Sequence, residues 1–238
     1  MKFPNWYRMA PQPLLLATLS AVGLTVGSSS FAIAQPPNTD PPIQLAQAIS
    51  SVEDYLNRAD ARFDQGDYRG ALADYTQALK LDPNNTDAYL FRGHARDALA
   101  DYRGAIADYT QVLKLDPNDA DAYFFRGATR MEFDDYQGVA TDLTRAIQLD
   151  PQYTEAYFVR GLARSGLGNY QAAIADYSRT LQLDATYADA YFFRGIDRSE
   201  LGDSQGAMAD LRAAMNLARQ QGNTELYQEI QEFIQLLQ

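Results

Sequence analysis

Asp121-Ala122-Tyr123-Phe124-Phe125-Arg126-Gly127 decides how this chain folds, because it is repeated along it. Asp87-Ala88-Tyr89-Leu90-Phe91-Arg92-Gly93 precedes it, and Glu155-Ala156-Tyr157-Phe158-Val159-Arg160-Gly161 and Asp189-Ala190-Tyr191-Phe192-Phe193-Arg194-Gly195 follow. A looser copy, Glu53-Asp54-Tyr55-Leu56-Asn57-Arg58-Ala59, stands ahead of them all. Tyr55, Tyr89, Tyr123, Tyr157 and Tyr191 are spaced by 34 residues. A fixed period of that length marks a row of small units, each packed on its neighbours, rather than one globule.

Counting from each Tyr predicts two helices per unit. In the first, positions −2, +1, +2, +5 and +8 share one face, while the Tyr and positions +3, +4 and +7 share the opposite one. The second follows a Gly/Asp turn such as Gln65-Gly66-Asp67 and carries Ala71, Asp74, Tyr75 and Ala78 at i, i+3, i+4 and i+7. Pro83, Pro117 and Pro151 then close the unit, since the residue before a proline disfavours helix. Gly93, Gly127, Gly161 and Gly195 sit inside first helices. A mid-helix Gly costs about 1 kcal/mol relative to Ala, so its recurrence points to close helix packing.

The large Tyr, the small residue four later, the facing Ala71, Ala105, Ala173 and Ala207, and the closing Pro together resemble the tetratricopeptide repeat family. The resemblance implies an all-α fold: a right-handed α-solenoid of five helix-turn-helix units over residues 51–221, divided as 52–85, 86–119, 120–153, 154–187 and 188–221. Ala185 replaces the closing Pro in the fourth unit, and the fifth has Ser204 and Arg219 where Tyr and Pro are expected. Residues 222–238 then read as a capping helix, with Leu226, Tyr227, Ile230, Phe233, Ile234 and Leu237 on one face.

Arg occurs three and seven residues after every opening Tyr, at 58, 92, 126, 160 and 194 and at 62, 96, 130, 164 and 198. Both columns fall on the packing face, where an unpaired guanidinium is costly. Asp74, Asp108, Asp142, Asp176 and Asp210 lie on the packing face of the second helix, which predicts an internal Arg–Asp ladder. An anion-binding groove is the competing reading, and the helical phase favours the ladder.

In proteins of this family the first helices line a concave surface that holds extended peptides or short helices. Carried over by position, the candidate partner-binding residues are Leu90, Phe91, Phe124, Phe125, Phe158, Phe192 and Phe193, rimmed by Asp87, Asp121, Glu155 and Asp189. Such a strip suits a hydrophobic protein segment with basic flanks. The alternative is that many of these rings pack between adjacent helices. On the first reading, Phe124 and Phe158 are replaceable by Ala with loss of binding and no loss of helix. The resemblance gives no support to the carboxylate clamp for heat-shock-chaperone C-termini, because acidic or apolar residues occupy the places of its Lys, Arg and Asn. His94 is expected at the open face or its rim.

Composition narrows the chemistry. The 238-residue chain has formal net charge −11 and sequence pI ≈ 4.5, which disfavours nucleic acid as partner. It has no Cys and a single His, and neither a nucleophile motif nor a metal-ligand pattern is present, so we expect no enzyme, no cofactor and no metal. The acid-rich loops Asp82-Pro83-Asn84-Asn85 and Asp116-Pro117-Asn118-Asp119 lack the Gly and distal Glu of a calcium loop, and helix capping explains them. Residues 1–34 read as a signal peptide: Lys2 and Arg8, an apolar run from Leu14 to Val26, then Ala32-Ile33-Ala34. The expected location is exported, periplasmic or extracellular, or a thylakoid lumen in a photosynthetic source. An uncleaved signal would instead tether the chain to a membrane. Residues 35–50 form a Pro-rich linker, and Ser50 with Glu53 matches a capping box at the start of the array. Expected roles are an interaction scaffold or assembly factor, or alternatively a self-associating array.

Overall fold

In the computed structural model, residues 51–237 are described, and the signal and linker segments lie outside them. Among the described residues are eleven α-helices. Five first helices, α1 (Val52–Asp64), α3 (Thr86–Ala98), α5 (Ala120–Arg130), α7 (Thr154–Gly166) and α9 (Ala188–Glu200), alternate with five second helices. Those are α2 (Tyr68–Leu81), α4 (Tyr102–Leu115), α6 (Tyr136–Leu149), α8 (Tyr170–Leu183) and α10 (Ser204–Gln220), and α11 (Thr224–Leu236) ends the row. A short 3-10 turn, Met131–Phe133, extends α5. The fold is the expected all-α solenoid.

Local chemistry sets the helix ends. Ser51 and Asp54 cap α1 reciprocally, one residue later than Ser50 and Glu53 would have done. Asp67, Asp101, Asp135 and Asp203 each accept a backbone N–H at the start of a second helix, from Gly70, Gly104, Gly138 and Gly206. A Cβ on any of those four glycines would meet the capping carboxylate at 2.0–2.2 Å. The fourth unit makes the point in reverse: it has Ala172 and Asn169, and α8 starts without a side-chain cap. Cap and glycine therefore occur together.

The closing prolines are not what stops the second helices. Asp82, Asp116, Asp150 and Asp184 each accept the amide two residues on, forming a local turn that competes with helix. α8 ends at Leu183 like its counterparts although Ala185 follows where Pro stands elsewhere. The fifth unit has Ala218 in place of that Asp, and α10 runs on to Gln220.

Between the two helices of a unit the chain is close-packed. Ala71, Asp74, Tyr75 and Ala78 are all buried, as are their counterparts down the row. A Cβ on Gly93 or Gly161 would lie 2.5 Å from the ring of Tyr109 or Tyr177, and one on Gly127 would lie 2.7 Å from Leu143. The helices approach to where only hydrogen fits.

The Arg–Asp ladder forms at every unit. Asp142 accepts from Arg126 Nε at 2.9 Å and Nη2 at 2.6 Å, and forms an ion pair with Arg130 Nη1 at 2.8 Å. Asp74, Asp108, Asp176 and Asp210 are likewise gripped by Arg58 and Arg62, Arg92 and Arg96, Arg160 and Arg164, and Arg194 and Arg198. The opening Tyr of each unit lies under the first Arg, its ring centre 5.3–5.5 Å from the guanidinium carbon. Arg126, Arg160 and Arg194 also reach back to Thr110, Thr144 and Ser178 of the preceding unit. The rungs of the third, fourth and fifth units thus each tie two units together.

Candidate interaction surface

The ladder has a consequence for surface charge. Every Lys or Arg on α1, α3, α5, α7 and α9 is a ladder arginine, and α11 has none. Among the described residues, the basic residues outside the ladder, Arg69, Lys80, Arg103, Lys114, Arg145, Arg179, Arg212 and Arg219, all lie on second helices. There, the ladder aspartates are the only acids. The helical surfaces are therefore segregated: the first helices carry carboxylates and no cation outside the ladder, and the second carry cations and no carboxylate outside it.

Three acids of the first helices, Asp121, Glu155 and Asp189, act on shared tyrosines. Tyr153 donates to Asp121 at 2.9 Å and lies in the field of Glu155 as well. Tyr187 lies between Asp189 and Glu155. Glu229 of α11 faces Glu225, Asp189 and Glu232. Burial first, then this like-charge crowding, pushes the Glu229 carboxyl above its usual range. Burial likewise raises Asp189.

The aromatic strip differs from the open one expected. Phe124, Phe125, Phe158, Phe192 and Phe193 are buried, Phe158 completely. The helices pack closely enough for each ring to find a partner outside its own helix. Phe124 stacks on Tyr153 at 4.8 Å, and Phe158 lies 4.9 Å from Tyr187. Phe125 lies 6.0 Å from Tyr109, Phe193 6.4 Å from Tyr177, and Phe192 6.1 Å from Phe233 of α11. Phe91 remains open at 38% exposure, against Tyr75 at 6.2 Å, and Leu90 is half-buried on the cluster of Val112, Leu113 and Ala122. Asp87 and Asp121 are exposed, while Glu155 and Asp189 are half-buried.

His94 is likewise buried, not at a rim. Its ring sits 4.3 Å from Phe125, between Phe91 and Tyr109, and neither nitrogen has a partner. Burial drives its pKa down to about 3, so it is neutral at physiological pH.

Two acids between successive first helices escaped sequence reading. Asp97 accepts from Tyr109 Oη at 2.9 Å and Thr129 Oγ1 at 2.8 Å, and Asp197 accepts from Ser165 Oγ at 2.6 Å. Desolvation lifts Asp97 to about 6 and Asp197 to about 7. Each pairing spans 32 residues, two short of the period, and that offset is the sequence signal that could have found them. The capping loops hold Asp116 and Asp119 in hydrogen bonds to Asn118 and Ala122, the role capping assigns them.

A family profile described as TPR repeat matches residues 59–99 and 98–132, and one described as Tetratricopeptide repeat matches residues 130–188. Among solved structures, a crystal structure of MamA is 27% identical with a TM-score of 0.66, covering 69% of this chain and 96% of that one. MamA residues 41-end from Desulfovibrio magneticus RS-1 are 23% identical with a TM-score of 0.69, covering 73% and 99%. YrrB, described as a TPR protein with an unusual peptide-binding site, is 22% identical with a TM-score of 0.66, covering 76% and 92%. No protein of curated function matches the chain.

Proposed function

The chain belongs to the tetratricopeptide repeat family, and on that footing we propose that it is a non-enzymatic interaction scaffold whose first-helix surface takes a basic protein segment. One observation carries the proposal. The ladder consumes every cation of the first helices, leaving Asp87, Asp121, Glu155 and Asp189 in a row with no neutralising neighbour on those helices. A partner with Lys or Arg along an extended or helical segment meets that row, and long-range attraction speeds its arrival. Phe91 and Leu90 supply the exposed apolar contact, which makes the favoured segment hydrophobic with basic flanks. The peptide-binding description of YrrB agrees with such a role.

Affinity capture with the full chain, compared with an Asp87→Asn, Asp121→Asn, Glu155→Gln variant, tests this. The variant should lose captured partners, and wild-type capture should weaken as salt rises. Equal capture by both proteins would refute the acidic row as the contact.

Export belongs to the same proposal, supported by the basic start, the apolar run and the small-residue site before Gln35. The N-terminal residue of the protein recovered from its source tests it, with Gln35 expected. Among the described residues no helix is long and apolar enough to cross a membrane.

A further inference from the structure

The turn between the two helices of a unit carries a second apolar feature, away from the residues assigned to the first-helix row. Phe133, Leu167 and Leu201 occupy the same place in three successive units, 34 residues apart. They are 45%, 41% and 42% exposed and so belong to a small set of large hydrophobic side chains left open to solvent. Each immediately precedes the left-handed residue of its turn, Asp134, Gly168 or Gly202, which fixes it at the tip. The tyrosines that open the second helices line the same edge. Tyr102 packs its ring edge-on to Phe133 at 6.4 Å, Tyr136 lies against Gly166, and Tyr170 lies in the field of Glu200. The edge therefore alternates Phe133, Tyr136, Leu167, Tyr170, Leu201.

Carboxylates flank it: Glu132, Asp134, Asp135, Glu200 and Asp203. Of these, Asp135 and Asp203 are within 3.7 Å of ladder arginines, so Glu132, Asp134 and Glu200 supply the unbalanced charge. Arg103 is the nearby cation, resting over Phe133 at 5.9 Å.

We propose that this turn edge is a docking strip for an amphipathic α-helix of a partner protein that bears one apolar side chain per turn and Lys or Arg on either side. Spacing selects the helix. α7 and α9 touch directly, through Ser165 with Asp197, so the Leu167 and Leu201 tips stand about 8–10 Å apart. Tyr170 follows Leu167 by three residues and lies in the field of Glu200 beside Leu201, so it divides that interval into steps of about 5 Å. A helix rises about 5.4 Å per turn and about 10.5 Å over seven residues, returning to nearly the same face. In a strand, residues on one face recur at about 6.6 or 13 Å, which misses the interval. Polyproline II repeats at about 9.3 Å and would leave the tyrosines uncovered. Charge completes the match, since the strip's unbalanced carboxylates call for a basic helix and repel an acidic one.

The test uses the full chain and three synthetic helical peptides followed by fluorescence anisotropy. One has Leu on an i, i+3, i+7 stripe flanked by Lys, the second has the same composition scrambled, and the third has Glu for Lys. The striped basic peptide should bind, and a Leu167→Ser, Leu201→Ser variant should bind it at least tenfold more weakly. Both side chains are substantially exposed, so circular dichroism should show the variant folded with an unchanged melt. An Asp121→Asn, Glu155→Gln variant should bind it as wild type does, which separates this strip from the first-helix row. Equal binding of the scrambled peptide, or unchanged binding to the Ser variant, would overturn the proposal.

Discussion

Replacing Asp142 with Ala removes the acid at the centre of the middle rung and leaves two guanidiniums facing its place. Asp142 is 2% exposed, accepts two charge-assisted hydrogen bonds from Arg126 and pairs with Arg130 Nη1 at 2.8 Å. Arg130 retains the carbonyl of Gly138 at 3.3 Å and Asp135 at 3.7 Å. Arg126 keeps only Thr110 Oγ1 at 3.3 Å and the ring of Tyr123, and its side chain is 15% exposed. Stranding a largely buried charge of this kind costs about 3–5 kcal/mol. Arg126→Met leaves Asp142 with Arg130, at a cost of about 2 kcal/mol from two lost charge-assisted bonds net of the packing Met restores. The double change Arg126→Met, Asp142→Ala puts apolar groups on both sides of the gap and should cost less than Asp142→Ala alone. Urea unfolding followed by far-UV circular dichroism gives all three values, and the cycle should show coupling of at least about 2 kcal/mol. Because neighbouring units stabilise one another, the Ala variant should also broaden the transition or split it about the third unit. Simple additivity, or a cost under about 1 kcal/mol for Asp142→Ala, would show that the rung is incidental to stability.

Phe158→Ala should lower stability by about 3–5 kcal/mol in the same assay, since the ring is fully buried among Tyr177, Tyr187 and Phe193. Ala100 holds φ at 58°, in the left-handed region, so Ala100→Gly should raise the unfolding free energy by about 1 kcal/mol. Stability should also depend on pH in an unusual sense. Asp97 and Asp197 have folded pKa values raised to about 6 and about 7 from 3.8, so the native state binds protons before the unfolded one does. Their burial penalty is full at high pH and is relieved as pH falls from about 7 toward 4. His94 acts oppositely below 6.5, where the unfolded chain takes up its proton and the folded one resists until about 3. From these three groups, stability should rise between pH 8 and 6, because Asp197, helped by Asp97, gains more than His94, which titrates at 6.5 in the unfolded chain, takes away. Denaturant midpoints across that range check it, and Asp197→Asn should flatten the rise.

The sequence revealed the features that depend on one helix or one pair, and hid those that depend on the stack. Gly127 and the Arg126–Asp142 rung were readable because phase within two helices puts them face to face. Phe158 was not, since its place on the outer side of an isolated α7 says nothing of Tyr187, which stands at the N-cap of α9. Tyr153 and Tyr187 hold the N-cap sites that Asn85 and Asp119 occupy elsewhere, without capping. Their rings instead cover Phe124 and Phe158, whereas the Asn85 and Asp119 caps belong to units with Leu56 and Leu90 there. Cap chemistry was exchanged for ring stacking in two units, and only pairing positions within one unit brings that out. Likewise, Leu143 and Val159 replace the Tyr and Phe that stack at other junctions, an aliphatic pair for an aromatic one.

Stability and polarity of this molecule have one origin. An α-solenoid needs only small and apolar residues to join its helices, yet here each junction is built on two arginines and one aspartate. Every rung but the fourth offers its second arginine a capping Asp at 3.6–3.9 Å, so the cations are neutralised where they lie. Had apolar residues taken those places, first-helix arginines would have been free to sit among Asp87, Asp121, Glu155 and Asp189 and balance them. Holding the cations inward leaves the outward carboxylates uncompensated. On the function proposed above, a partner with basic flanks would be recognised by charge that the packing of the repeat has set apart, whereas the second helices carry no acid outside the ladder to attract it.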